Sequence, residues 1–326
     1  MTQETMSSHL TKHRAEMARQ AWPAVERFIQ EHPQYTLDAD QSGSIGNTNY
    51  VIFGHSGERA VVFKYFCRDE RKEREVFALR HFATTGIVPE LLEDYDQRLI
   101  VMSRIPGSWL PDLAEKTLAV SERAQAGRTL GQATAKLTSV PLAGAVAQDF
   151  ESRFYEGQGL IDYLQGILQA SWAIHQKVAC YGDEIFAQSL ARIEANLPYI
   201  LAQPRLLYHQ DAMNVHFADN RFTGFFDLEM CKVGTEAIQI GSLWWLIVTY
   251  GVWDAFAEGF AESAGRGLGS QDFAAAQAFA HFLVWRYISD YGDWHGEPLG
   301  DEQRVAIGEK AKEHQEQLAF YNNYSV

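Results

Sequence analysis

Tyr208-His209-Gln210-Asp211-Ala212-Met213-Asn214-Val215-His216-Phe217 is followed, after one hairpin, by Phe225-Phe226-Asp227-Leu228-Glu229, and this stretch decides the reading of the chain. A carboxylate and an amide share one loop. A second carboxylate closes the next hairpin, whose turn is read at Asp219-Asn220. Hard divalent cations such as magnesium take oxygen ligands of this kind. Phosphoryl transfer needs such a metal to bridge phosphate oxygens, and a carboxylate to orient the attacking hydroxyl. In that scheme Asp211 is the base, while Asn214 and Asp227 hold the metal. Singly, each of these residues would be read as a turn residue capping its own backbone. Their order along the chain carries the chemistry.

Upstream, Ala60 to Phe66 reads as a strand that is apolar except for Lys64, and a charged run from Arg68 opens a helix. Lys64 and Glu75 stand in the order of an ion pair that positions nucleotide phosphates. Glu70 and Glu73 compete for that place. Glu75 is preferred because Leu79, one turn on, shares its face and can pack on a sheet. Earlier still, Ser42-Gly43-Ser44-Ile45-Gly46-Asn47-Thr48-Asn49 is a turn rich in small residues. Its backbone N–H groups could cover phosphates, with Ser44 and Asn47 as contacts.

In this order the motifs resemble the aminoglycoside phosphotransferase and choline kinase-like superfamily, small-molecule relatives of the protein kinases. The likeness runs from about Ser42 to Trp245. It includes the strand Val62-Phe63-Lys64, the helix segment Arg74-Glu75-Val76-Phe77-Ala78-Leu79-Arg80, and Gly86-Ile87-Val88-Pro89. Ile100-Val101-Met102-Ser103-Arg104-Ile105-Pro106-Gly107 resembles the interlobe hinge, and Gly131 to Leu137 the helix after it.

The resemblance implies an α+β, bilobal, kinase-like fold. A small antiparallel β lobe would span residues 1–104 and a mainly helical lobe residues 105–326. It implies transfer of the γ-phosphate of ATP or GTP, with magnesium, to a hydroxyl of an aminoglycoside-, choline- or sugar-like molecule. Lys64, held by Glu75, would contact phosphates. Ser103 and Ile105 would meet the base through the hinge backbone, and Glu229 would stand near the metal. His209 would be a structural residue under the loop. Two departures stand out. Asn214 follows Asp211 by three residues where the family has five. Gly234-Thr235-Glu236 and Gln239 occupy the place of a Gly-Asp-Pro segment and a bracing Asp. They motivate an alternative, a catalytically impaired nucleotide-binding pseudokinase acting as sensor or scaffold.

Composition agrees with a globular enzyme. The 326 residues are 46% hydrophobic and 21% charged, which excludes a disordered chain. A net charge of −14 argues against nucleic acid as a partner and mildly favours a cationic acceptor. Cys67, Cys180 and Cys231 lack metal-ligand spacing, so a reducing cytoplasm is expected. The N-terminus has no signal-peptide core, and Ile238 to Trp253, interrupted by Gly241 and Gly251, is too short to span a bilayer.

Helices are read at Glu16–Glu31, Ser121–Thr138, Gly159–Gln176, Asp183–Asn196, Ile238–Glu258, Gln271–Tyr291 and Asp301–Tyr321. Pro23 is expected to kink or restart the first. The apolar runs at Leu206–Tyr208, Val215–Phe217 and Phe222–Phe226 read as one β-island among those helices. Aromatics and carboxylates from Trp285 to His295 would suit an amine or sugar pocket.

Overall fold

The computed structural model describes residues 3–39, 49–109, 119–178 and 183–293, with positions 309, 312–313, 316–317 and 319–321 near the C-terminus. Two compact units emerge. The first comprises Met1–Asp112 with Asn214–Asp219 and Thr223–Cys231. The second holds Leu113–Met213, Asn220–Phe222 and Lys232–Val326. The linear division at 104/105 did not anticipate the discontinuous segments that join the first unit.

In the first unit, α1 (Gln3–Glu31) leads into an antiparallel sheet of β1 (Tyr35–Leu37), β2 (Asn49–Ser56), β3 (Arg59–Phe66), β4 (Leu91–Asp94) and β5 (Leu99–Ser103), ordered β1-β2-β3-β5-β4. Alternation buries Tyr50, Ile52, Val61, Phe63, Leu99 and Val101 on one face, where Ala21, Ala24, Val25 and Phe28 of α1 cover them. This places Pro23 on the outer face of an uninterrupted α1. Pro23 and Arg19 are both exposed, so the carbonyl left without an N–H partner lies where water can take it, and no second helix starts. On the opposite side, α2 (Asp69–Phe82) buries Lys72, Glu75, Val76, Leu79 and Phe82, one helical stripe. A second sheet of β6 (Ser108–Trp109), β8 (Val215–Ala218) and β9 (Arg221–Phe225) follows. Asp219 and Asn220 both have positive φ, 49° and 59°, the geometry that a two-residue hairpin turn requires.

The second unit is built on α3 (Val120–Thr138), α4 (Gly144–Tyr155), α5 (Leu160–Val178), α6 (Asp183–Ala202), α7 (Glu236–Ser242), α8 (Trp244–Thr249), α9 (Trp253–Ala264) and α10 (Ser270–Asp293), with a ladder of β7 (Leu206–Tyr208) and β10 (Lys232–Gly234). Its core includes Trp244, Trp285, Phe256 and Phe260. Glycine brings α3 and α9 together. A Cβ at Gly131 would collide with the Phe256 carbonyl, and one at Gly259 with the Arg128 carbonyl.

Three expectations are corrected. Ile238–Glu258 is not one helix but α7, α8 and the start of α9, with a turn at Leu243 between the first two and Gly251 at φ 60° before the third. The β-island is two separate sheets. The sequence reading also missed α4, whose buried side is only Ala147 and Phe150. Among the described residues no helix is long and apolar enough to cross a membrane.

Candidate active site

Lys64 lies in β3, hydrogen-bonded between β2 and β5 with Val51 and Ile100 as register partners. Its neighbours are apolar and its side chain is 4% exposed. A charge in such a place needs partners, and it has three. Glu75 of α2 pairs with it directly. Asp227 Oδ1 accepts from Nζ at 2.5 Å, and Glu229 Oε2 is 3.9 Å away. Glu70 and Glu73 are exposed, so the register expected for α2 is the observed one. Burial opposes the lysine's charge, but Asp227, Glu75 and Glu229 outweigh it and hold Lys64 well above the usual lysine range. Glu75 is fully buried, and burial pushes its carboxyl up to about 7 against the pull of Lys64.

Asp227 follows β9 with φ 60°, a left-handed bend that starts the short 3₁₀ turn Leu228–Met230. Asn214 Nδ2 donates to its Oδ2 at 3.3 Å, and Asn214 O accepts from Phe226 N at 3.0 Å. Asn214 therefore meets the Asp227 turn, with only two residues between it and Asp211.

Glu229 is 3% exposed and both its oxygens are taken. Asn49 Nδ2 donates to Oε2 at 2.5 Å, and Arg71 Nη1 to Oε1 at 2.6 Å. It ties the start of β2 to α2 and to the Asp227 turn. Neither Asn49 nor Arg71 was found from sequence. They stand 180 and 158 positions from Glu229, and no local pattern links them.

Glu75, Asp227 and Glu229 each bring a carboxylate oxygen within 4.8 Å of the others. The donors suit magnesium, which prefers oxygen. Asp227 is the most accessible of the three at 34%, and buried Glu75 Oε1 has no hydrogen-bond partner among the described residues. The oxygens of Asp227 are engaged as well, by Lys64 and Asn214, but Asp227 is open to solvent and fits a metal better than buried Glu229, which Arg71 and Asn49 hold.

The hinge candidates are placed as follows. Ser103 Oγ accepts from Glu90 N at 2.8 Å. Ile105 is buried, and its carbonyl accepts from His216 Nδ1 at 3.3 Å. Both groups thus already have protein partners. Ser44 and Asn47 lie outside the described residues, as do the side chains of Tyr287 to His295. Trp285 is a buried core residue.

Asp211 belongs to the second unit, in the turn after β7, and is half-buried. His209 before it is fully buried, and its backbone N–H donates to Gln239 Oε1 at 2.7 Å. Gln239, in the middle of α7, is thus a neutral hydrogen-bond partner for the loop at the place where an Asp was expected.

A lysine in an antiparallel sheet, its helix glutamate, and an aspartate after a β-hairpin thus meet in one cluster around a buried ammonium. Residues 40–279 match the family described as the phosphotransferase enzyme family, and the chain belongs to it. It is a phosphoryl-transfer enzyme. Solved structures share the fold. Macrolide 2′-phosphotransferase MphH from Brachybacterium faecium is 17% identical at a TM-score of 0.57, covering 88% of this chain and 97% of that one. ADP-bound aminoglycoside phosphotransferase APH(2″)-Ib is 17% identical at 0.58, covering 90% and 98%. APH(4)-Ia in complex with ADP and hygromycin B is 14% identical at 0.55, covering 92% and 99%. No curated protein matches the chain.

Proposed function

We propose that the protein transfers the γ-phosphate of ATP or GTP to a hydroxyl of a small molecule of the aminoglycoside, choline or sugar type. The observation that carries this is the buried Lys64 with both Glu75 and Asp227 on its ammonium. A cation so placed costs desolvation that an apolar residue would avoid, which points to a catalytic reason for keeping it. Residues 1–104 supply the nucleotide-binding part. Residues 105–326 supply the catalytic loop and the acceptor site.

Lys64, held by Glu75, contacts the nucleotide phosphates. Asn214 and Asp227 hold magnesium, which when bound neutralises charge developing on the phosphate oxygens. Asp211 orients the acceptor hydroxyl and takes its proton. Glu229 keeps Asn49 and Arg71 in place. The brace by Gln239 favours an active loop over the pseudokinase reading, because the short loop is still anchored at His209.

The test is magnesium-dependent transfer from ATP or GTP across a panel of amino-alcohols, sugars and antibiotics. Asp211→Asn should lower turnover by about 10²–10⁴-fold with nucleotide affinity nearly unchanged. Equal turnover in the variant removes Asp211 as the base. Nucleotide binding without transfer to any acceptor favours the pseudokinase.

A further inference from the structure

The second unit holds a pocket that this chemistry has not used. It lies between the end of α4, the start of α5 and β10, lined by Glu151, Tyr155, Leu160, Tyr163 and Lys232 among others. Lys232 points its ammonium into a pair of aromatic rings. Nζ is 3.5 Å from the Tyr163 ring centroid and 4.6 Å from that of Tyr155. Aromatic faces attract a cation through the ring quadrupole, most strongly where water is thinned out. Such a slot would hold the ammonium of a choline- or aminoglycoside-like ligand, but here the chain's own lysine sits in it.

The pocket is wired to the catalytic loop within the same unit. Lys232 is the ladder partner of Tyr208, three residues before Asp211. Gln210, next to Asp211, lies between Tyr163 and Arg286. With its amide turned to satisfy both ends, the nitrogen donates to the Tyr163 hydroxyl at 3.3 Å and the oxygen accepts from Arg286. The Tyr208 hydroxyl is fully buried with no hydrogen-bond partner among the described residues; burial pushes its ionisation well above the ordinary tyrosine range, with smaller effects from Tyr163, Arg286, Tyr155 and Asp211. Glu151 is the carboxylate of the pocket. Burial pushes its carboxyl up, and Arg205 opposes that.

We propose that this pocket is an acceptor subsite and that Lys232 is its specificity-determining residue. It fills the aromatic slot as an internal cation and so denies the slot to an acceptor's ammonium group. The acceptor portion bound there is an uncharged or anionic hydroxyl-bearing group. A second ammonium would have to displace the lysine from the rings or stand beside it against like-charge repulsion. The assignment rests on the phosphotransferase reading above.

The test is titration of the full-length protein with tetramethylammonium, followed by saturation-transfer NMR on the probe's methyl groups. Wild type and Lys232→Met, which keeps the slot filled, should bind it at least about tenfold more weakly than Lys232→Ala. Adding Tyr163→Leu to Lys232→Ala should remove the gain. Equal affinity in wild type and Lys232→Ala overturns the proposal, as does a gain that survives Tyr163→Leu. Lys232→Ser gives the same readout should the alanine variant not fold. Failure of both to fold also overturns it, by making Lys232 a structural residue. In Lys232→Ala, tetramethylammonium should compete with whichever hydroxyl acceptor the panel identifies, and binding without competition overturns the acceptor assignment. Wild type that transfers phosphate to no acceptor refutes the proposed function instead, and the binding result still judges the slot.

Discussion

Glu75→Gln separates burial from ion pairing at the centre of the site. Glu75 is fully buried, and its carboxyl is raised from an ordinary 4.5 to about 7 by burial, against the attraction of Lys64. The folded protein therefore holds this proton to higher pH than the unfolded chain does. That contribution to stability is complete below about pH 4.5 and is lost as pH rises through about 7. Integrated between pH 5.5 and 8, it is worth about 2 kcal/mol. Glutamine keeps the shape and cannot titrate. The stability of wild type relative to Glu75→Gln should thus fall by about 2 kcal/mol from pH 5.5 to 8. Urea unfolding of both proteins at several pH values measures it, without nucleotide or magnesium. A constant gap would refute the reasoning. A gap that moves the other way would show that Lys64 governs Glu75 and burial does not.

Three further outcomes are expected. Asp227→Ala should abolish magnesium-dependent nucleotide binding in calorimetry while the fold survives, and unchanged affinity would take Asp227 out of the site. Gln239→Leu strips the buried His209 N–H of its acceptor, which should cost about 1–3 kcal/mol in unfolding experiments and lower turnover more than nucleotide affinity. Wild-type turnover in that variant would mean the loop holds itself. Gly259→Ala drives a methyl into the Arg128 carbonyl and should destabilise by about 1–3 kcal/mol or more. Gly267→Ala, whose Cβ would meet nothing within 4 Å, is the control and should be near neutral in the same thermal scan.

The placement of the Lys64 cluster was legible where it sits in local pattern. Lys64 stood out as the one charge in an apolar strand, where outward alternation into water was the competing reading, and Glu75 because Leu79 set its face. The hairpin at Asp219-Asn220 announced itself through residues that tolerate positive φ. What stayed hidden depends on tertiary pairing. Asn49 and Arg71 meet Glu229 from 180 and 158 positions away, and each alone is an ordinary polar residue. Gln239 was noticed only as a departure, since sequence shows what is replaced and not what the replacement touches. Ile238–Glu258 misled, and Pro23 started no second helix, for opposite reasons. An exposed proline can stay in a helix where water takes the freed carbonyl. A uniformly apolar run does not reveal where Leu243 and Gly251 will break it.

The first unit draws Asn214–Asp219 and Thr223–Cys231 from far along the chain, and this matters while the protein is being made. After residue 112 leaves the ribosome, about 120 residues must follow before Asp227 and Glu229 exist to meet Lys64. At about 5–20 residues per second, that is about 6–24 s. Throughout that interval the nascent sheet carries Lys64 with Glu75 as its only native carboxylate, and β6 waits for β8. The first unit is therefore a product of late synthesis, although most of its residues are made first.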